Sequence, residues 1–179
     1  LLGGLAEVIK YGVIRDEKFF RFLKEKREDI LALDTLVIEK MILTCCRIKA
    51  EVVSEDEREG GLRRILNYGH TIGHAVEAAS DFTIIHGFAV SIGMVAAGRL
   101  AEKLGFWEKQ DLDRVVELLD TYGLPLEVPQ ELDRTRIKRY LKTDKKSVGG
   151  KVFYVLPTAI GKTSITAEVE PGYVQEVLG

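Results

Sequence analysis

At 179 residues, 46% of them hydrophobic, the chain is long enough for one ordinary domain with its own core. Its 26 basic and 28 acidic side chains leave a net charge of -2, which excludes the strongly basic balance that nucleic-acid binding brings. No apolar run reaches the roughly 18 to 20 residues of a membrane span, and Glu7, Asp16, Glu17, Glu25 and Glu28 stand where a signal peptide would be apolar, so a cytoplasmic protein is expected.

The chain opens Leu1-Leu2-Gly3-Gly4 and runs straight into an amphipathic pattern without an initiator Met or polar leader, which reads as a piece of a longer chain, although terminal trimming gives the same opening. Helices are expected over residues 4–13 and 16–28, the second capped by Asp16 ahead of Phe19, Phe20 and Leu23. Asp34 caps a long third helix, with Leu36, Ile38, Met41, Ile42, Ile48, Val52 and Val53 as its apolar positions and Glu55-Asp56-Glu57, Glu59 and Gly60-Gly61 at its end. The only cysteines, Cys45 and Cys46, lie within it. Adjacent cysteines strain a mutual disulfide and lack the CxxC spacing, so they are expected to be core or packing thiols.

A fourth helix is expected over residues 62–79, and 87–104 is apolar on nearly all sides, with Gly93, Ala96, Ala97 and Gly98 permitting close contact, so it should be the central buried helix. Two more helices, 111–120 and 131–141, flank the breaker Gly123-Leu124-Pro125, and strands at 151–156 and 162–168 suggest a hairpin or edge sheet. No repeat or linker divides the chain. The expectation is a single mostly α domain over 1–179, multi-helical, with a small β hairpin near the C-terminus.

Several familiar motifs fail. Gly161-Lys162-Thr163 resembles the end of a phosphate-binding loop, but the glycine needed five positions earlier is Leu156, and no GxGxxG follows a strand. His70 and His74 are spaced as in HExxH, yet Thr71 replaces that motif's general base.

One constellation survives. His70, His74 and His86, all three histidines of the chain, fall within 17 residues. On the expected helix, turning about 100° per residue, Arg63, Asn67, His70 and His74 share one stripe about 60° wide, free of hydrophobic residues. An Arg, an Asn and two His with almost no acid suit an anionic ligand near a metal better than a plain solvated face. Two imidazoles and a carboxylate make a three-ligand metal site with an open position. Glu7, in the apolar run Leu5-Ala6-Glu7-Val8-Ile9-Lys10-Tyr11, is the best acid by sequence, although Glu7 and Lys10 are also spaced as a surface ion pair. Lys49 reads as a snorkelling surface lysine, Glu59 as part of a solvated helix end, and Asp144-Lys145-Lys146 as a charged turn.

Taken together and in order, the runs Gly4-Leu5-Ala6-Glu7-Val8-Ile9-Lys10-Tyr11-Gly12, Lys49 with Val52-Val53, Glu59 and Arg63, Leu66-Asn67-Tyr68-Gly69-His70-Thr71-Ile72-Gly73-His74-Ala75 with Glu77, His86-Gly87 and Asp144-Lys145-Lys146 resemble the C-terminal domain of the 3-dehydroquinate synthases over essentially the whole chain. The resemblance implies an NAD-dependent cyclase of aromatic amino acid biosynthesis that turns a seven-carbon sugar phosphate into 3-dehydroquinate and phosphate. It implies a divalent metal, zinc or cobalt, an N-terminal NAD-binding domain absent from this chain, and a homodimer. Carried over residue by residue, Glu7, His70 and His86 match the metal ligands, His74 an acid/base residue contacting substrate, and Glu59 a proton acceptor. Lys10, Lys49, Arg63, Asn67 and one of Lys145 or Lys146 match groups that hold the substrate's carboxylate, hydroxyls and phosphate. Other readings are an inosose- or valiolone-type cyclase, whose substrate has no carboxylate for Lys49 and Arg63 to meet, a polyol dehydrogenase, and a helical interaction domain with a structural metal.

Overall fold

In the computed structural model, residues 2–56, 61–147 and 152–179 are described, the side chains of 144–147 excepted. The first half runs α1 (Leu2–Arg15), α2 (Glu17–Glu25), α3 (Arg27–Leu31) and α4 (Thr35–Glu55), then a 3-10 helix (Leu62–Asn67) and α5 (His70–Ala79). The second runs α6 (His86–Lys103), α7 (Lys109–Thr121), α8 (Arg134–Ser147), β1 (Tyr154–Ala159), β2 (Lys162–Thr166) and α9 (Pro171–Leu178). None of the described helices is long and apolar enough to cross a membrane.

Local chemistry sets the boundaries. The Asp16 carboxylate accepts from Phe19 N at 2.9 Å and that of Asp34 from Val37 N at 3.0 Å, each satisfying a backbone donor that the first helical turn leaves open. As expected from its composition, α6 is the central helix, buried from Ala89 through Gly98 and wrapped by α1, α5, α7 and β1. The expected hairpin is present, β1 antiparallel to β2 from Tyr154↔Thr166 to Ala159↔Lys162. Gly161 N at its tip donates to Val13 O (2.8 Å), and Thr71 Oγ1 donates to Phe153 O (2.9 Å), which tie the β element to α1 and α5. The single tryptophan, Trp107, is 4% exposed and packs near Gly98 at the α6–α7 seam.

Four expectations need correction. Residues 62–79 do not form one helix: Tyr68 is extended (ψ 127°) and Gly69 left-handed (φ +78°), so a 3-10 segment meets α5 at a corner. Tyr68 sets that corner, its fully buried hydroxyl donating to Met94 O at 2.9 Å. The shared stripe of Arg63, Asn67, His70 and His74 therefore does not exist. The helix expected over 16–28 is two, α2 ending at Lys26, whose N–H donates to Phe22 O. The charged turn expected at Asp144-Lys145-Lys146 is instead the end of α8, which runs on to Ser147; of the cysteines, Cys45 packs partly buried against the core, burial pushing its thiol up to about 12, while Cys46 is exposed. Finally, α9 was not expected at all, although Pro171 at its first turn, with Val174 and Leu178 one turn apart and buried, carries the signal.

Close backbone approach holds the three site helices together. A Cβ on Gly93 of α6 would fall on the Gly69 carbonyl, and one on Gly87 would fall on the Gly3 carbonyl of α1. Gly93→Ala is therefore expected to cost about 1–3 kcal/mol or more, a fall in the melting midpoint of roughly 2–12 °C. Gly172→Ala, whose added Cβ meets nothing within 4 Å, should change stability by less than about 1 kcal/mol. Thermal melts of the two variants check both.

Candidate metal centre

Helices α1, α5 and α6 each deliver one side chain to a single point. Glu7 and Lys10 lie one turn apart on α1, His70 begins α5 and His86 begins α6. The Glu7 carboxylate divides its oxygens: Oε2 lies 2.5 Å from Lys10 Nζ, while Oε1 lies 3.1 Å from His70 Nε2 and 3.3 Å from His86 Nε2. Lys10 is 4% exposed, so the surface ion pair considered from the spacing alone is instead a buried one.

The second nitrogen of each ring identifies the first. His70 Nδ1 is 3.1 Å from the Tyr68 carbonyl oxygen, which can only accept, so Nδ1 carries the proton and Nε2 presents a lone pair. His86 Nδ1 is 3.1 Å from a Glu77 carboxylate oxygen, with the same result. Two lone pairs and a carboxylate oxygen then face one another, an arrangement that repels unless a cation lies among them. Tetrahedral zinc with bonds of about 2.0–2.1 Å sets its ligand atoms roughly 3.3–3.4 Å apart, and the observed 3.1 and 3.3 Å fit.

Burial pushes the Glu7 carboxyl up, but the His70 and Lys10 hydrogen bonds and charges outweigh it and hold it at about 2. Burial pulls Lys10 down, the Glu7 carboxylate opposes that, and Lys49 on α4 adds to the fall, which places Lys49 within electrostatic reach of the site.

His74 stands one turn along α5, exposed, its ring centroid 5.2 Å from that of His70 and 5.5 Å from that of His86. One nitrogen from each of the three rings lies within 4.8 Å of the others. Arg63 and Asn67 are exposed at the two ends of the 3-10 helix. The start of that segment is held by Asp56, 7% exposed, whose carboxylate accepts from Gly61 N at 2.9 Å and Arg63 N at 2.8 Å. Glu59 and the side chains of Lys145 and Lys146 lie outside the described residues. Sequence reasoning gave no role to Glu77, although it stands in the quoted motif, or to Asp56, read there as part of a solvated acidic end.

Fold and site thus define a helical domain built around a candidate divalent-metal centre. The chain belongs to the family described as 3-dehydroquinate synthase C-terminal, whose model matches residues 4–147. The 3-dehydroquinate synthase of Desulforamulus reducens is 48% identical over 179 residues, 99% of this chain and 50% of that protein. The enzyme of the same name from Synechococcus is 49% identical over 182 residues, 98% of this chain and 48% of that protein. This chain therefore spans about half the length of the curated relatives it matches. Among solved structures it resembles a 2-epi-5-epi-valiolone synthase from Streptomyces hygroscopicus (TM-score 0.88, 23% identity, 99% of this chain and 49% of that one), a likeness of fold. It also resembles a 2-deoxy-scyllo-inosose synthase (TM-score 0.83, 27% identity, 99% of this chain and 51% of that one).

Glu7 yields a pH prediction. Its folded value of about 2 lies below the ordinary 4.5, so its carboxylate stabilises the fold above about pH 4.5, and that contribution is lost as pH falls toward 2. In metal-free protein, the advantage of wild type over Glu7→Gln should shrink as pH falls from about 4.5 to about 2. Denaturant melts across that range measure it.

Proposed function

We propose that this chain is the metal- and substrate-holding half of a 3-dehydroquinate synthase, which converts 3-deoxy-D-arabino-heptulosonate 7-phosphate to 3-dehydroquinate and inorganic phosphate. The observation that carries the reading is the convergence of His70 Nε2 and His86 Nε2 on one oxygen of Glu7 beside the buried Lys10, in a chain of this family. Supporting it, the valiolone synthase was solved with NAD+ and Zn2+, and the inosose synthase with carbaglucose-6-phosphate, NAD+ and Co2+.

Glu7, His70 and His86 would hold the metal, zinc or cobalt. When bound, the metal polarises the substrate's hydroxyls and NAD supplies reversible hydride transfer, which together make the elimination of phosphate and the ring closure accessible. The remaining work falls to side chains of this chain. Lys10, locked by Glu7, offers a fixed ammonium beside the ligand oxygen. His74, exposed next to the ligand rings, is placed to take and return a proton at an imidazole nitrogen. Lys49, Arg63, Asn67 and one of Lys145 or Lys146 supply cations and donors for the carboxylate, hydroxyls and phosphate, and Glu59 accepts a proton. Arg63's planar fork suits a carboxylate, although the corner at Gly69 removes the helical ruler that would have set its distance from His70. The same corner leaves its role resting on the family resemblance.

NAD would be held mainly by the N-terminal domain of the intact enzyme, because the only sheet among the described residues is a two-stranded antiparallel hairpin, with no parallel βαβ unit. The intact enzyme is proposed to be a cytoplasmic homodimer. The second reading, an inosose- or valiolone-type cyclase, is favoured by the two solved folds. Lys49 and Arg63 together weigh against it, since those substrates carry no carboxylate.

Two measurements test the reading. Zinc content of the purified chain should approach one per molecule and fall sharply in Glu7→Ala and His86→Ala; undiminished zinc in either removes that residue from the ligand set. The chain with NAD alone should release no phosphate from the heptulosonate phosphate, and adding the N-terminal half of a relative should restore release. Turnover by the chain alone would overturn the division of labour.

A further inference from the structure

We propose that Glu77 is the positioning residue of the metal centre: its carboxylate keeps the proton of His86 on Nδ1 and thereby turns Nε2 toward Glu7. This rests on the reading of Glu7, His70 and His86 as ligands and adds to it a residue with no contact to the metal.

The two histidines are held in different ways. His70 has its Nδ1 on the Tyr68 carbonyl, a main-chain acceptor that follows from the corner at Gly69 and that no substitution removes. His86 has no such support. It is the first residue of α6, follows Ile85, which makes no side-chain cap, and its side chain is 44% exposed. An imidazole in that setting can carry its proton on either nitrogen, and with the proton on Nε2 it presents a donor where the site needs a lone pair. The partner that decides between the two is Glu77 Oε2, 3.1 Å from His86 Nδ1.

Glu77 is itself pinned. Its main-chain carbonyl accepts from Ser80 Oγ at 2.7 Å, Ser80 N at 3.2 Å and Phe82 N at 3.0 Å, so it ends α5 and organises the turn into α6. That turn carries Asp81 and Phe82 at φ +53° and +60°, two consecutive non-glycine residues in left-handed backbone, a strained arrangement held by the same bonds. One residue therefore anchors the turn with its carbonyl and orients the first side chain after the turn with its carboxylate. The carboxylate side chain is 18% exposed, sheltered enough for the bond to persist against water.

The test is titration of this chain with Co2+, followed by its visible absorption, beside thermal melts of the metal-free protein. Glu77→Ala should weaken Co2+ binding roughly 10- to 100-fold. Glu77→Gln, whose amide oxygen still accepts from Nδ1–H, should stay within about fivefold of wild type. Metal-free protein should stay folded in both, because both keep the main-chain carbonyl that holds the turn. Should Glu77→Ala fail to fold, Glu77→Leu removes the acceptor at nearly constant size and reads the same effect. Wild-type affinity in Glu77→Ala or Glu77→Leu, or an equal loss in Glu77→Gln, overturns the proposal. A wild-type chain that binds no Co2+ overturns the ligand reading beneath it, and the two failures are told apart by the wild-type titration.

Discussion

The site exists because α6 can lie against two other helices at backbone distance. Gly93 sits on the carbonyl of Gly69 and Gly87 on that of Gly3, so α6 approaches both the corner before α5 and the first turn of α1 with no side chain between. Glu7 is one turn beyond Gly3, His70 follows Gly69, and His86 precedes Gly87. Each proposed ligand is thus within four residues of a glycine contact. Metal ligands held to a few tenths of an ångström need a rigid support, and main chain packed on main chain is the stiffest support a helical protein offers.

That rigidity lets the protein keep an uncomfortable distribution of charge. Lys10 is almost wholly buried, a costly position that Glu7 makes tenable by giving it one oxygen. The other oxygen faces the imidazoles. A single carboxylate therefore holds a fixed cation on one side and turns its other oxygen to the two imidazoles. Lys49 adds a third charge from α4, close enough to depress Lys10. Such an arrangement is poor for stability and good for binding an anion whose position must not wander.

Much of this was legible in the residues. The clustering of three histidines, the acid in an apolar helix and the all-apolar composition of α6 each led to the observed feature, as did the hairpin. The corner at Tyr68-Gly69 was not, because the pattern on either side stays helical and a glycine inside such a pattern does not announce its φ. Only the burial of the Tyr68 hydroxyl under α6 reveals why the chain turns there, and that contact spans 26 residues. The stripe drawn from Arg63 to His74 along one helix failed for the same reason. Glu77 was visible as a letter in a motif, but its partner stands nine residues on, across a turn whose geometry depends on backbone bonds. Lys10 could have been read as buried from its apolar neighbours, had the rarity of buried lysine not argued the other way.

Trp107, described above at the α6–α7 seam, has a practical consequence. It is the only tryptophan, and its buried indole N–H has no hydrogen-bond partner among the described residues. Its contact on α6, Gly98, stands twelve residues from His86, about 18 Å along the axis at 1.5 Å per residue. Its emission should be that of a buried indole, shifted to the blue, and should report loosening of the α6–α7 seam from well beyond the ligand cluster. The molecule carries its own optical gauge of core integrity, remote from the place where metal and substrate would act.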